Sequence, residues 1–430
     1  MTDNRTIVIV GASLAGAKAA EALRQEGFAG RVVLIGEEPD RPYERPPLSK
    51  GYLRGDEEGA KIFVHDEGFY AEQDIELRTS TRVTAIDPAA SHVVLDHGEQ
   101  LAYHRLLLTT GAAPRRLAVP GAELPGVHYL RDLLDSDRLA LAIRQATRVV
   151  VVGAGWIGSE VAASARQMGA EVAMVDPGTV PLGQVMGPEV GAVFRQLHAS
   201  HRVELHLGTG VEAVVGTDAA EGVRTADGRV VEADLVVVGI GVVPRTELAQ
   251  AAGLRVGNGI EVNEHLETSA PGIFAAGDVA AAWHPGVGER VRVEHWANAL
   301  NQGPAVARNM LGAATPYDRV PYFFSDQYDF GMEYSGYART WDRVVFRGSP
   351  NDGKFIAFWI ADGRVVAGMN ANVWDVTGPI QALILSRQPV DIARLTDPAV
   401  PLEELANRHV TSPCPSPGAD HDPAPGAGAG

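Results

Sequence analysis

Cysteine is almost absent from this 430-residue chain, since its one cysteine, Cys414, lies in a tail rich in Pro, Gly, Ala and Asp. One thiol cannot form a disulfide within the chain, so we predict no dithiol redox centre. The 13 histidines show no metal-ligand spacing beside cysteine or carboxylates, and we expect no protein-bound metal. The composition of residues 411–430 predicts a disordered tail.

Positive charge and long apolar runs are also scarce. The net charge of −17 argues against general nucleic-acid binding. No apolar run approaches the ~18 residues that a membrane span needs, so we expect no membrane partner. The N-terminus leads directly into an apolar strand without a signal peptide, and a cytoplasmic location is expected. Lysine is rare enough that each one is a candidate for a specific role: Lys18, Lys50, Lys61 and Lys354.

Two glycine-rich turns of the same kind are the most informative feature that is present. Gly11-Ala-Ser-Leu-Ala-Gly16 follows the apolar run TIVIV, and Gly153-Ala-Gly-Trp-Ile-Gly158 follows RVVVV. Each turn opens a predicted helix, which a second strand follows, and that strand runs into an acid, Glu37 or Asp176. This is the strand–turn–helix–strand order of a dinucleotide site, and it occurs twice.

The spacing of the glycines has a physical reason. The first allows the tight turn, the second lets the backbone approach a pyrophosphate, and the third lets helix and strand pack closely. The helix N-terminus offers free N–H groups to the phosphates, and the acid binds ribose hydroxyls. Ser13 replaces the middle glycine of the first turn, which we interpret as a tolerated variant because serine is small. Two such sites predict electron transfer between two dinucleotides.

The order of the segments predicts an α/β chain with an interrupted first domain. A discontinuous first domain would use residues 1–114 and 246–315, and the second dinucleotide unit, residues 115–245, would be inserted between them. Aromatic residues and strand-like runs increase after that, and Asp362-Gly363 is a hairpin signal. Residues 316–410 are therefore predicted to form an α+β domain, with a helix over GPIQALILSR.

Further motifs occur in the order that is typical of a known family. They are Pro46-Pro-Leu-Ser-Lys50, Thr110-Gly111, Gly277-Asp278-Val279, Glu294-His-Trp296 and Phe324-Ser-Asp-Gln327. With the two glycine turns, they resemble the FAD-dependent NADH:ferredoxin reductases of oxygenase systems, a group that includes putidaredoxin reductase, rubredoxin reductase and the reductase component of biphenyl dioxygenase. The resemblance covers about residues 5–405 and implies a glutathione-reductase-like fold, in which the NAD domain interrupts the FAD domain and a C-terminal α+β domain follows.

The resemblance also implies roles for individual residues. The residues that it places around FAD are Gly11, Ser13, Gly16, Glu37, Arg45, Lys50, Arg115, Arg131, Asp278 and Trp296. Those that it places around NADH are Gly153, Gly155, Gly158, Glu160, Asp176 and Gly241, with Pro244 in the same loop as Gly241. Lys50, Glu160 and Trp296 are the catalytic candidates, and Lys50 is expected to meet Glu160 beside the flavin.

Asp176 predicts a preference for NADH. Its carboxylate can accept hydrogen bonds from a ribose 2′-hydroxyl and would repel a 2′-phosphate. Pro177-Gly-Thr-Val-Pro-Leu182 follows without an arginine that could receive that phosphate.

The resemblance also implies an electron acceptor, a small two-iron ferredoxin with a rubredoxin as the second choice. That acceptor would feed a haem monooxygenase or a ring-hydroxylating dioxygenase. Arginines of the C-terminal region could form a basic docking patch: Arg308, Arg339, Arg343 and Arg347. The sequence leaves open a quinone or monodehydroascorbate-type reductase, and also a homodimer. An NADH-sensing protein like apoptosis-inducing factor is a third alternative, which the compact sequence without targeting segments disfavours. The sequence also disfavours a disulfide reductase, because Ser49 stands where those enzymes carry a cysteine.

Overall fold

Short runs of valine, isoleucine and leucine form buried strands in the first segment of the chain. The computed structural model describes residues 3–406, so the predicted tail and Cys414 lie outside the described residues. The strands of the first segment are β1 (Thr6–Val10), β2 (Arg31–Ile35), β3 (Ile75–Arg78), β4 (Val83–Asp87), β5 (His92–Leu95), β6 (Gln100–Ala102), β7 (Arg105–Leu108) and β8 (Ala112–Pro114). Its helices are α1 (Leu14–Gln25), α2 (Gly51–Arg54) and α3 (Phe69–Glu72), with a 3₁₀ turn at Pro46–Ser49.

The second segment repeats this strand–helix order. Its strands are β9 (Val127–His128), β10 (Arg148–Val152), β11 (Glu171–Asp176), β12 (Glu204–Leu207), β13 (Val211–Val215), β14 (Gly222–Thr225), β15 (Val230–Glu232), β16 (Leu235–Val238) and β17 (Val242–Pro244). Its helices are α4 (Leu133–Gln145), α5 (Trp156–Gln167) and α6 (Gly183–Ser200). The N-cap of α4 is Asp132, which forms a capping box with Asp135.

The remaining chain first returns to the fold of the first segment. This part contains α7 (Glu247–Ala251), β18 (Val256–Gly257), β19 (Gly259–Val262), β20 (Ile273–Ala275), β21 (Ala280–His284), β22 (Glu289–Val291) and α8 (Trp296–Met310). The last part contains β23 (Tyr322–Gln327), β24 (Phe330–Gly336), β25 (Arg343–Ser349), β26 (Lys354–Ala361), β27 (Arg364–Ala371), α9 (Thr377–Ser386), α10 (Ile392–Thr396) and α11 (Leu402–Ala406).

Two parallel five-stranded sheets organise the dinucleotide units. The first has the order β20-β7-β1-β2-β3, and the second has the order β12-β11-β10-β16-β9. Strand β20 belongs to the first sheet, but in the sequence it follows all the strands of the second sheet. This agrees with the predicted interruption of the first unit, although the exact domain boundaries stay a prediction. Two small antiparallel sheets, β4-β5-β6 and β13-β14-β15, were not foreseen from the sequence.

The C-terminal part is an antiparallel sheet of order β23-β24-β27-β26-β25. Alternate residues of β26 face opposite sides, as the pleat requires. Phe355 and Trp359 pack towards Phe194 of α6, whereas Phe358 packs with residues of α9 to α11. Asp362 and Gly363 both have positive φ, at 48° and 72°, as a type I′ hairpin turn needs. One face of the sheet therefore rests on the second dinucleotide unit.

Candidate functional site

The two glycine turns have the close contacts that the spacing predicts. A Cβ atom on Gly11 would lie 2.1 Å from the Thr109 carbonyl oxygen, and one on Gly153 would lie 2.4 Å from the Gly239 carbonyl oxygen. Gly11 and Gly153 have φ of 119° and 103°, a region that favours glycine. Both turns are therefore packed against a neighbouring strand end of their own sheet.

The third glycine of each turn is required for packing, whereas the middle position is open. A Cβ atom on Gly16 would lie 2.2 Å from the Gly11 carbonyl oxygen, and one on Gly158 would lie 2.0 Å from that of Gly153. At Gly155, the nearest atom to a Cβ would be 4.0 Å away. Ser13 occupies the matching place before α1, and its hydroxyl makes no capping hydrogen bond there. The middle positions thus leave room for a phosphate against the helix N-terminus.

A cavity of about 1140 Å³ begins at the first turn. The candidate residues that line it are Gly11, Ser13, Glu37, Arg45 and Arg131. Its volume and its mixture of glycine backbone, acids and arginines fit the adenosine and pyrophosphate parts of FAD. Arg116 also lines this cavity and was missed from the sequence, whereas the predicted Arg115 is exposed and does not line it.

Glu37 lies between two arginines that the sequence analysis did not single out. Arg82 Nε lies 3.0 Å from Glu37 Oε2, and Arg245 Nη1 lies 2.5 Å from Oε1. Burial opposes ionisation of this carboxyl, but the two guanidinium groups outweigh it and lower the pKa of Glu37 below its usual value. Arg245 directly follows Pro244 of the loop that was predicted to border NADH. This position was the one sequence signal that could have marked Arg245 as a binding-site residue. The carboxylate is held ionised at the place where a ribose would bind.

Arg45 and Arg131 connect the cavity to Asp278 of the Gly277-Asp278-Val279 motif. Arg45 Nη2 lies 2.7 Å from Glu38, and Arg45 Nη1 donates to the Arg131 carbonyl oxygen at 2.5 Å. The guanidinium of Arg131 lies 2.9 Å from the carboxylate of Asp278. The structure therefore brings three of the predicted FAD residues into one continuous polar network.

Lys50 and Glu160 form a buried ion pair. Lys50 Nζ lies 2.8 Å from Glu160 Oε2, and the two side chains are 13% and 6% exposed. Lys50 also donates to the Pro46 carbonyl oxygen at 3.2 Å and lies 5.8 Å from the centre of the Phe324 ring. The sequence analysis expected these two groups, which come from different dinucleotide units, to meet.

Trp296 begins α8 and lies near the same place. Its ring is edge-on to that of Phe324, with centroids 5.9 Å apart. Within residues 3–406, Trp296 Nε1 and His295 Nδ1 are buried atoms that have no hydrogen-bond partner. Burial lowers the pKa of His295 to about 4, so its imidazole is neutral at pH 7. Buried polar atoms without partners fit a site that a polar ring system completes.

The second dinucleotide site has its acid in place. Asp176 accepts hydrogen bonds from the backbone N–H groups of Ala154 and Gly178, both at 2.7 Å. The carboxylate is thus fixed beside the turn of Gly153, Gly155 and Gly158. Gly241 lies in the connection between β16 and β17. Its carbonyl oxygen accepts a hydrogen bond from the backbone N–H of Arg115 at 2.9 Å.

The four arginines that were considered for docking do not form one free patch. Arg308 lies 3.5 Å from Glu26, Arg339 lies 2.6 Å from Glu289, and Arg347 donates to backbone carbonyls between Leu395 and Val400. Arg347 therefore fixes the connection between α10 and α11. A docking role for any of these arginines stays a prediction.

Comparison with known proteins decides the family. Residues 5–303 match the family described as pyridine nucleotide-disulphide oxidoreductase, and residues 322–406 match the reductase C-terminal family. The chain belongs to the pyridine nucleotide-disulphide oxidoreductase family. It is an FAD-dependent oxidoreductase that uses NADH, so the predicted fold class, enzyme class and cofactors are confirmed.

Similar proteins narrow the family to its ferredoxin reductases. The chain is 40% identical to the 5,5′-dehydrodivanillate O-demethylase ferredoxin reductase subunit of a Sphingobium strain, over 93% of this chain and 97% of that protein. It is 40% identical to rhodocoxin reductase of Rhodococcus erythropolis, over 85% and 86% of the two chains. It superimposes on putidaredoxin reductase in its covalent complex with putidaredoxin with a TM-score of 0.89 and 37% identity, over 94% and 98% of the two chains. The predicted resemblance is confirmed.

In the part of the chain that the structure describes, no helix is both long and apolar enough to cross a membrane. Within the same residues, no group of three His, Cys, Asp or Glu side chains is arranged to hold a metal ion.

Proposed function

We propose that this protein takes electrons from NADH and passes them through FAD to a small two-iron ferredoxin that serves an oxygenase. The observation that carries the proposal is the buried Lys50–Glu160 pair, which joins the two dinucleotide units at 2.8 Å. When bound, FAD supplies a carrier that accepts two electrons together and releases them one at a time. The oxidation of one NADH by two one-electron acceptors releases NAD⁺ and one proton.

The residues of the chain contribute binding, orientation and charge. Glu37 would hold the adenosine ribose, and the turn of Gly11, Ser13 and Gly16 would hold the pyrophosphate against the N-terminus of α1. The turn of Gly153, Gly155 and Gly158, with Asp176, would hold NADH in the same way.

Lys50 provides a largely buried cation at the place that we propose for the reacting rings. Lys50 would stabilise the negative charge that develops when the flavin is reduced, and Glu160 would keep the ammonium in one place. Trp296 would border the flavin ring, and its Nε1–H has no hydrogen-bond partner within residues 3–406. Because the Lys50 and Glu160 side chains are almost excluded from water, their charges act more strongly than they would at the surface.

Asp176 supports NADH in place of NADPH. Its carboxylate is anchored by two backbone N–H groups, and the following loop, residues 177–182, contains no basic side chain. A 2′-phosphate would meet a fixed negative charge there, whereas a 2′-hydroxyl could donate to it. We also infer a cytoplasmic location, because the reaction draws on the NADH of the cell; fractionation of cells that express the protein would test it.

The proposed acceptor is tested by coupled electron transfer. Purified FAD-loaded protein is mixed with NADH and cytochrome c, with and without a two-iron ferredoxin or a rubredoxin. We expect cytochrome c reduction to depend on the two-iron ferredoxin. Equal reduction of quinone or of a monodehydroascorbate radical without any iron–sulfur protein would overturn this choice and favour the alternative reductase class.

A further inference from the structure

The Glu160 carboxylate is held by side chains from two separate parts of the chain in addition to Lys50. Ser49 Oγ donates to Glu160 Oε2 at 2.5 Å, and Ser325 Oγ donates to Oε1 at 2.7 Å. Ser49 belongs to the first segment, Glu160 to α5 of the second unit, and Ser325 to β23 of the C-terminal sheet. Three parts of the fold therefore meet at one carboxylate.

Both oxygens of this carboxylate are engaged, which fixes its rotation. Oε2 contacts the Ser49 hydroxyl and the Lys50 ammonium, and Oε1 accepts a hydrogen bond from the Ser325 hydroxyl. The two serines are 2% and 1% exposed and Glu160 is 5% exposed, so water does not compete freely for these positions. Hydrogen bonds to a charged group are stronger than those between neutral groups, and a buried setting strengthens them further.

Each serine is itself held in place. The Ser49 carbonyl oxygen accepts from Ser164 Oγ of α5 at 2.6 Å, one helical turn beyond Glu160. The amide nitrogen of Gln327 donates to Ser325 Oγ at 3.3 Å, which leaves the Ser325 hydroxyl hydrogen for the carboxylate. The Ser49 backbone and the Ser325 hydroxyl are therefore held in place before any ligand binds.

We propose that Ser49 and Ser325 are positioning residues that set the place of the Lys50 ammonium through the Glu160 carboxylate. This inference rests on the proposed function, because the position of Lys50 matters only if it faces the flavin. The C-terminal sheet, through Ser325, then helps to fix the place of the Lys50 ammonium. A displacement of about 1 Å at such a site is enough to slow a reaction strongly.

The test measures Ser49→Ala and Ser325→Ala separately, each alone and in a Glu160→Gln background. Ser335→Ala is the matched control, since Ser335 is a buried serine on the neighbouring strand β24 whose hydroxyl accepts from Gln381 at 3.1 Å. The limiting rate of flavin reduction and the apparent NADH affinity come from anaerobic stopped-flow mixing. The visible circular dichroism of bound FAD without NADH provides a second readout, and thermal unfolding checks the fold.

We expect each serine variant to lower the limiting rate about tenfold while the NADH affinity changes less than about twofold. In the Glu160→Gln background, the same substitutions should cause no further loss, because residues that act through one another are not additive. The circular dichroism of the bound flavin should change in both single variants and stay as in the wild type in Ser335→Ala.

Three results would overturn the proposal: additive losses in the Glu160→Gln background, an unchanged limiting rate in the single variants, or a loss confined to FAD retention and thermal stability. These outcomes are separate from failure of the proposed function. NADH could reduce the bound flavin while the protein fails to pass electrons to a ferredoxin. That result would overturn the proposed acceptor, but the effects of the serine variants and Glu160→Gln would still be non-additive.

Discussion

Lys50 is the residue on which the proposed chemistry depends most. It is one of four lysines, and its ammonium is paired with Glu160 and largely buried. Lys50→Gln removes the charge and keeps a polar, hydrogen-bonding side chain that is one atom shorter than lysine. We predict about a 100-fold lower limiting rate of flavin reduction by NADH, the order seen when one preorganised charge-stabilising group is lost.

Lys61→Gln is the matched control for that experiment. Lys61 is 72% exposed and pairs with Glu58 at 3.3 Å on the surface. Stopped-flow reduction of this variant should match the wild type. An equal effect of both substitutions, or normal reduction of Lys50→Gln, would remove Lys50 from the mechanism.

His198 gives the fold a predictable acid sensitivity. The side chain is fully buried on α6, and burial lowers its pKa to about 4, although the contact with Gln327 partly opposes this shift. The unfolded chain binds this proton below about pH 6.5, whereas the folded chain does not bind it until about pH 4. Stability from this group is therefore complete above pH 6.5 and is lost as the pH falls towards 4.

The expected loss across that window is about 3 kcal/mol. Denaturant midpoints at pH 7 and pH 5 should differ less in His198→Gln than in the wild type, because the variant has no proton to gain at this position. The variant also loses the 3.2 Å contact of Nδ1 with the Tyr328 hydroxyl, so its stability at pH 7 should be lower. The same pH dependence in both proteins would show that other groups control it.

At the level of elements, the glycines of the second turn separate binding from folding. At Gly158, a Cβ would lie 2.0 Å from a backbone oxygen, whereas at Gly155 the nearest atom would be 4.0 Å away. We predict that Gly158→Ala lowers the thermal unfolding temperature clearly, because α5 must move away from the carbonyl group of Gly153. Gly155→Ala should keep the fold and lower the NADH affinity about tenfold or more, because the methyl group occupies the place of the pyrophosphate.

Calorimetric titration with NADH and thermal unfolding of both variants check this pair. Gly210→Ala is the control, at a glycine where a Cβ would meet no atom of residues 3–406 within 4 Å. Normal NADH affinity in Gly155→Ala would show that the phosphates do not lie at this turn.

The contact between α6 and the C-terminal sheet gives a second prediction for elements. Gly187, with φ 82° and ψ 169°, interrupts α6 before Pro188, and Trp359 Nε1 donates to the Met186 carbonyl oxygen at 3.1 Å. Trp359→Phe keeps an aromatic ring but leaves a buried carbonyl unpaired. We predict a loss of about 1–3 kcal/mol in the free energy of unfolding, measured by denaturant titration.

Hydrogen exchange should rise in α6 of this variant. Trp283→Phe is the control, because Trp283 is 40% exposed. An unchanged stability of Trp359→Phe would mean that water or a rearranged chain satisfies the Met186 carbonyl oxygen.

The sequence predicted these elements unevenly, for physical reasons. The turns at Gly11 and Gly153, the hairpin at Asp362-Gly363 and helix α9 follow from local backbone preferences, which act over a few neighbouring residues. Arg82, by contrast, reaches Glu37 from a distant segment, and no local pattern marks such a contact. Ser325 lies in the motif Phe324-Ser-Asp-Gln327. Its hydrogen bond to Glu160 forms only when the C-terminal sheet packs against the second dinucleotide unit.

For the molecule as a whole, the arrangement explains why the chain contains two dinucleotide units and a third part. The first unit is completed by β20 after the second unit has been inserted, and this brings Lys50 and Glu160 together from different units. The C-terminal sheet packs on α6 and reaches the same carboxylate through β23. We propose that electrons cross from NADH to FAD at this junction and leave for an iron–sulfur protein.

Anaerobic stopped-flow absorbance of the FAD-loaded protein tests that claim most directly, first with NADH or NADPH and then with an oxidised two-iron ferredoxin. We predict that the visible absorbance of the flavin falls rapidly with NADH and much more slowly with NADPH. After the second mixing step, the oxidised ferredoxin should restore that absorbance. A flavin that NADH does not bleach, or a reduced flavin that the ferredoxin does not reoxidise, would contradict the account.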